Sequence, residues 1–220
     1  MPTAARASAI SARAASAPPE WFPLRWQVPV GSSAASALHG DKPLPWWSAG
    51  WYEGALRQLI LELRRQPQLE RLCQPLQPLL PELAARAAAS SDQRRLLLVP
   101  IPSWRSRANP VPLLLAAALL QQALPGVHAL LRPELLLRNR PVACQHRLQR
   151  AQRWRNQWLS FCGLLPADQS ESSRTRVLLI DDVLTSGATA LAAQQALQSA
   201  GWSVSGLLCL ARTRRSRDRA

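Results

Sequence analysis

The stretch VLLIDDVLTSGAT, residues 177–189, decides how this chain is read. Val177, Leu178, Leu179 and Ile180 form a continuous apolar run, the pattern of a strand buried on both faces of a parallel sheet. Asp181 and Asp182 emerge at its end, where two carboxylates can accept hydrogen bonds from the adjacent hydroxyls of a ribose. Thr185, Ser186, Gly187, Ala188 and Thr189 then turn into a helix that runs from about Ala188 to Ser199 and is closed by Gly201. Backbone N–H groups and hydroxyls of that loop converge on one point, and a helix amino end with a glycine-containing nest is a cradle for phosphate. Taken singly, the acids would read as a helix cap and the loop as a turn. The ordered set of apolar strand, paired acids, two-residue spacer and small polar loop argues instead for a ribose phosphate site.

Working outward, residues 94–99 (RRLLLV) form a second short apolar run, bounded by Pro100 and Pro102 and read as another buried parallel strand. The loop IPSWRSRANP follows, and PVPLLLAAALLQQALPG is a helix with proline near its start and Gly126 past its end. A weaker strand is expected within residues 127–131, and residues 204–210 read as the last strand. This alternation over residues 94–210 predicts an α/β fold, a parallel sheet flanked by helices, with ligands outside the carboxyl ends of the strands.

Upstream, WYEGALRQLILELRRQ places Leu56, Leu59, Ile60 and Leu63 on one helical face, with Arg57, Glu62 and Arg64 outside it. A second helical stretch over residues 69–89 is interrupted by Pro75, Pro78 and Pro81. Residues 18–50 hold Pro, Gly and several Trp without periodicity. The first 19 residues carry Arg6, Arg13 and many Ala and Ser but no acid, and read as a disordered tail, with an organellar transit peptide as the alternative. The chain thus divides into an N-terminal extension (1–50, disordered or loosely packed), a helical segment (51–92), an α/β domain (93–212) and a basic tail (213–220).

The formal charge of +14 comes from 27 basic against 13 acidic side chains, all the basic ones except Lys42 being arginine. Planar guanidinium groups suit phosphate ligands. Cys73, Cys144, Cys162 and Cys209 stand apart without a CxxC pair, which reads as reduced thiols of a cytoplasmic protein with no zinc. The longest apolar run, residues 111–120, is shorter than the ~20 residues of a membrane helix, so no membrane partner is expected.

The 177–189 segment resembles the PRPP-binding motif of phosphoribosyltransferases, which implies a type I phosphoribosyltransferase-like fold and a PRPP ligand carrying Mg, with no direct protein metal site. The wider sequence is similar to the ComF family, phosphoribosyltransferase-fold proteins of which some serve DNA uptake in competence. That resemblance rests on YEGALRQLILELR (52–64), LLLVPIPSWRSR (96–107), the spaced set Gln145, Leu148, Arg150, Ala151, Arg153, Arg155 and Asn156 with Phe161, the 177–189 motif, and CLAR (209–212).

It implies a pyrophosphate-side loop bearing Ser103, Arg105 and Arg107, and a mobile hood over residues 138–156. In the hood, Arg147, Arg150, Arg153 and Arg155, interleaved with Trp154 and Trp158, could also neutralise and stack on single-stranded DNA. Two departures stand out. The four-cysteine zinc module with which family members often begin has no ligands here, and the usual Phe-Asn-Gln after the arginine loop is Ala108, Asn109, Pro110. Purine-salvage phosphoribosyltransferases carry an acid where this chain has Thr185, so a purine acceptor is not implied. The function expected is PRPP or ribose 5-phosphate binding, with phosphoribosyl transfer to an unknown acceptor. The alternatives are a DNA-binding competence factor and a PRPP-sensing regulator.

Overall fold

A computed structural model describes Trp26 and residues 37–88, 95–103, 109–122, 124, 127–139 and 160–214. In chain order the elements are β1 (Leu38–Gly40), β2 (Trp46–Ser48), α1 (Gly54–Leu63), α2 (Cys73–Leu76), α3 (Leu80–Ala88), β3 (Arg95–Pro100), α4 (Val111–Gln121), β4 (Ala129–Leu131), β5 (Leu136–Arg138), β6 (Phe161–Gly163), α5 (Gln169–Ser173), β7 (Thr175–Leu184), α6 (Ala188–Ser199) and β8 (Val204–Arg212). Six strands form one sheet in the order β1-β2-β8-β7-β3-β4, parallel throughout except for β1 at its edge, and β5 pairs with β6 in a separate antiparallel ribbon. The chain is therefore α/β, with a mostly parallel sheet flanked by helices.

Because successive strand residues face opposite ways, the run 177–180 feeds two cores. Val177 and Leu179 join Leu97, Val99 and the α6 residues Leu191, Ala193 and Leu197 on one face. Leu178 and Ile180 join Leu98, Ile60 of α1 and Val111, Leu115 and Leu119 of α4 on the other. Full burial on both sides explains why these strands show unbroken apolar runs instead of alternation.

The expectation of loose packing up to residue 50 is corrected over its last part. Residues 38–48 supply β1 and β2, and β2 lies against β8 with Trp46 opposite Leu207 and Ser48 opposite Cys209. Trp46 is fully buried in the α6-side core and Trp47 buried in the α1/α4-side core. Two indoles remove about 400 Å² from water, an upper bound of about 10 kcal/mol at ~25 cal/mol/Å². Ordering a three-residue strand costs only about 1–2 kcal/mol per residue, so burial holds β2 without any local periodicity to announce it.

The acids are placed differently from the expectation as well. β7 does not stop at Ile180. It continues through Asp181, Asp182 and Val183 to Leu184, paired with β8 from Asp181 opposite Cys209 to Leu184 opposite Arg212. Its pairing with β3 ends earlier, at Pro100 opposite Ile180, with the Ile101 N–H donating to the Ile180 carbonyl at 2.8 Å. From Asp181 onward β7 therefore has β8 on one side and, among the described residues, no paired strand on the other.

Candidate functional site

This gap in the pairing lies where the chain reverses its direction of travel across the sheet. After β3 the chain passes through α4 to β4 at one edge; after β7 it passes through α6 to β8 on the other side. α4 and α6 consequently cover opposite faces, and their preceding loops part above the ends of β3 and β7. Open parallel sheets bind ligands in such a gap, where the two loops diverge beyond the carboxyl ends of the strands.

At its β7 edge stand the paired acids. Asp182 is 6% exposed, and its Oδ2 accepts from Arg64 Nε at 2.9 Å, from Arg64 Nη2 at 2.5 Å and from Asn109 Nδ2 at 2.5 Å. Asn109 also accepts from the Val111 N–H at 3.2 Å, so one side chain ties the acid to the start of α4. Arg64 immediately follows α1. Its placement outside the apolar face of that helix does not leave it in solvent, because it turns onto Asp182. Asp182 thus joins α1, α4 and β7, and its Oδ2 is committed to protein partners.

Asp181 is less committed. Its Oδ1 accepts from the Asp182 N–H at 2.9 Å. Burial, and then the negative charge of Asp182, push its carboxyl well above the usual carboxylate range, with the Arg64 guanidinium as a partial offset. A carboxyl in that condition holds a proton readily and gains from hydroxyl donors or a cation.

The small polar loop completes the far side. Thr185 is exposed, Ser186 and Thr189 are half-buried, and Gly187 and Ala188 are buried. Gly187, at φ +74° and ψ 2°, is the left-handed residue that opens α6, a conformation only glycine adopts without strain. The Ala188 N–H donates to Ser186 Oγ at 3.4 Å, too long to compete with a charged oxygen acceptor.

Sequence reasoning did not foresee what covers Gly187. A Cβ built there would fall on the indole of Trp26, from the N-terminal extension. Trp26 is 4% exposed, and its Nε1 is buried without a hydrogen-bond partner among the described residues.

Ser103 lies on the loop beyond β3 and is half-buried. Arg105 and Arg107 of that loop, and the hood residues Arg147, Arg150, Arg153, Trp154 and Arg155, lie outside the described residues. A further residue reaches the end of β3. Arg138, at the end of β5, donates from Nε to the Pro102 carbonyl at 3.2 Å and lies over the Phe161 ring at 4.3 Å. Arg64 closes the 52–64 stretch and Arg138 opens the expected hood, but neither has a partner legible in the sequence, because contacts with residues 118 and 36 positions away leave no local pattern.

Among the described residues no three His, Cys, Asp or Glu side chains group closely enough to hold a metal ion, and no helix is long and apolar enough to cross a membrane. Compared with models of known protein families the chain matches none, and no curated protein sequence matches it.

Proposed function

We propose that this chain is a phosphoribosyltransferase-fold protein of the type I kind, similar to ComF proteins, that binds PRPP or ribose 5-phosphate in the crevice between β3 and β7. One observation carries the reading: the acids and the glycine loop share the single edge where β7 runs on without β3. A phosphate at the amino end of α6 would meet backbone N–H groups and the hydroxyls of Thr185, Ser186 and Thr189. A ribose extending from it along β7 reaches Asp181, whose carboxyl accepts from ribose hydroxyls. Asp182 keeps the strand end in place through Arg64 and Asn109.

Magnesium suits such a ligand, because the ion is held largely by phosphate oxygens and water with one or two carboxylates. Asp181 is an oxygen donor of the right class, and no all-protein cage is needed. In a transfer reaction the chain's part would be positioning, neutralisation of the departing diphosphate and exclusion of water. Isothermal titration of the full chain with ribose 5-phosphate and with PRPP, magnesium present, tests the proposal. Binding lost in the Asp181→Asn, Thr185→Ala double variant is expected, and absence of binding by the wild type refutes it. Magnesium-dependent pyrophosphate release with a base or amine would identify turnover.

A further inference from the structure

The loop 185–187 is anchored at both ends. On the strand side, Leu184 pairs with Arg212 of β8, and its carbonyl accepts from the Thr213 N–H at 3.0 Å. On the helix side, the Gly187 carbonyl accepts from the Leu191 N–H at 3.0 Å. Between these anchors the support comes from the N-terminal extension. Because Gly187 has no side chain, the Trp26 indole rests directly on its backbone: a Cβ there would stand 1.9 Å from Nε1 and 2.0 Å from Cε2. Trp26 shares its core with Leu184 and Ala188, the buried residues that bracket the loop. Thr185 is exposed and Ser186 half-buried. The indole therefore takes the inner side of the loop, and the hydroxyl-bearing residues keep the outer.

Glycine is the residue that visits the most backbone conformations, so the left-handed turn at 187 needs something to select it. An anion at the amino end of α6 meets several N–H groups together only while that turn is formed. We propose that Trp26 is a positioning residue for the phosphate: lying on Gly187, it holds the loop in the turn that gathers N–H groups and hydroxyls before ligand arrives. This rests on the reading of the loop as a phosphate site. The indole Nε1 is buried without a hydrogen-bond partner among the described residues. An unpaired donor in a core is unfavourable, so the flat ring is what serves the position, and phenylalanine supplies a flat ring without the orphan N–H.

Ribose 5-phosphate with magnesium is the probe, titrated into the full chain as wild type, Trp26→Ala, Trp26→Leu and Trp26→Phe, under conditions where circular dichroism shows each protein folded. In a fully folded population global stability does not enter the affinity; the fraction of time the loop is formed does. A loop in its binding shape about a tenth of the time binds about tenfold more weakly, which is the loss expected for Trp26→Ala. Trp26→Phe should restore binding to within about threefold of wild type, and Trp26→Leu, apolar but not flat, should fall between. Should the alanine variant lose its native circular dichroism, the leucine variant carries the comparison, and a leucine variant that binds as tightly as phenylalanine and wild type overturns the assignment. Trp26→Ala with wild-type affinity overturns it as well. Tighter binding by Trp26→Ala also overturns it, and shows that the indole stands in the ligand's place. In each of these cases the wild type binds and the phosphate reading survives. A wild type that does not bind removes both.

Discussion

Replacing Gly187 with alanine tests the packing of the loop that opens α6 most directly, because two separable costs meet at one atom. The backbone at 187 is left-handed, at φ +74°, and an L side chain there costs about 1 kcal/mol. The added Cβ also falls on the Trp26 indole, which is 4% exposed and must be displaced. Burial of a tryptophan in place of alanine stabilises by about 3–5 kcal/mol, and a partial displacement forfeits about half of that. Gly187→Ala should therefore lower the unfolding free energy by about 3 kcal/mol in the wild-type chain. In a Trp26→Ala background only the backbone cost of about 1 kcal/mol remains, a coupling of about 2 kcal/mol between the two positions. Urea unfolding followed by circular dichroism of all four proteins measures this without relying on tryptophan emission. Should Gly187→Ala cost the same in both backgrounds within about 0.5 kcal/mol, the indole does not rest on Gly187 and the placement of Trp26 against the start of α6 is wrong.

Arg64→Ala removes two of the three donors to Asp182, which is 6% exposed. A loss of about 2–3 kcal/mol is expected, below that of a fully buried pair because Arg64 is partly exposed. The neighbouring exposed Arg65→Ala should stay within about 0.5 kcal/mol, and equal losses in urea unfolding would show that the Asp182 clamp carries no weight. Asp181 has its pKa raised by burial and by Asp182, so the folded chain holds the proton more tightly than the unfolded chain. Wild-type stability should fall as pH rises from the usual carboxylate range, about 4, through the raised value. Asp181→Asn abolishes that fall and should be more stable than wild type at about pH 7, with the difference closing toward about pH 4. A difference independent of pH refutes this. Cys209, whose thiol burial pushes up to about 12 and whose Sγ donates to the Trp47 carbonyl at 3.3 Å, should resist N-ethylmaleimide in the native chain and react only on unfolding. Peptide mapping that finds it labelled before unfolding contradicts the buried β2–β8 seam.

Much of the site's scaffold was legible from local pattern. The run 177–180 announced a doubly buried strand, the proline-bounded run 94–99 announced its neighbour, and Gly187 and Gly201 bracketed α6 within a residue of where it lies. These signals are local because each depends on a few consecutive residues: apolar continuity for a strand buried on both faces, and glycine where the chain must turn left-handed. The acids were visible for the same reason. Their fates were not. Asp182 is spent on Arg64 and Asn109, which lie 118 and 73 residues away in sequence, while Asp181 stands where β7 runs on without β3.

The fold also decided where β7 loses β3 but keeps β8, how the short pairing of Trp46 and Trp47 with β8 is held, and that Trp26 covers Gly187. None of these has a periodicity, since each is a meeting of distant segments whose contact energy exists only once the sheet has brought them together. Sequence alone determined that there is a strand, a pair of acids and a glycine-containing turn that opens a helix. The tertiary structure alone decided which acid serves the fold and that two arginines flank the pair, because charge pairing across the chain depends on proximity in space and leaves no trace in spacing.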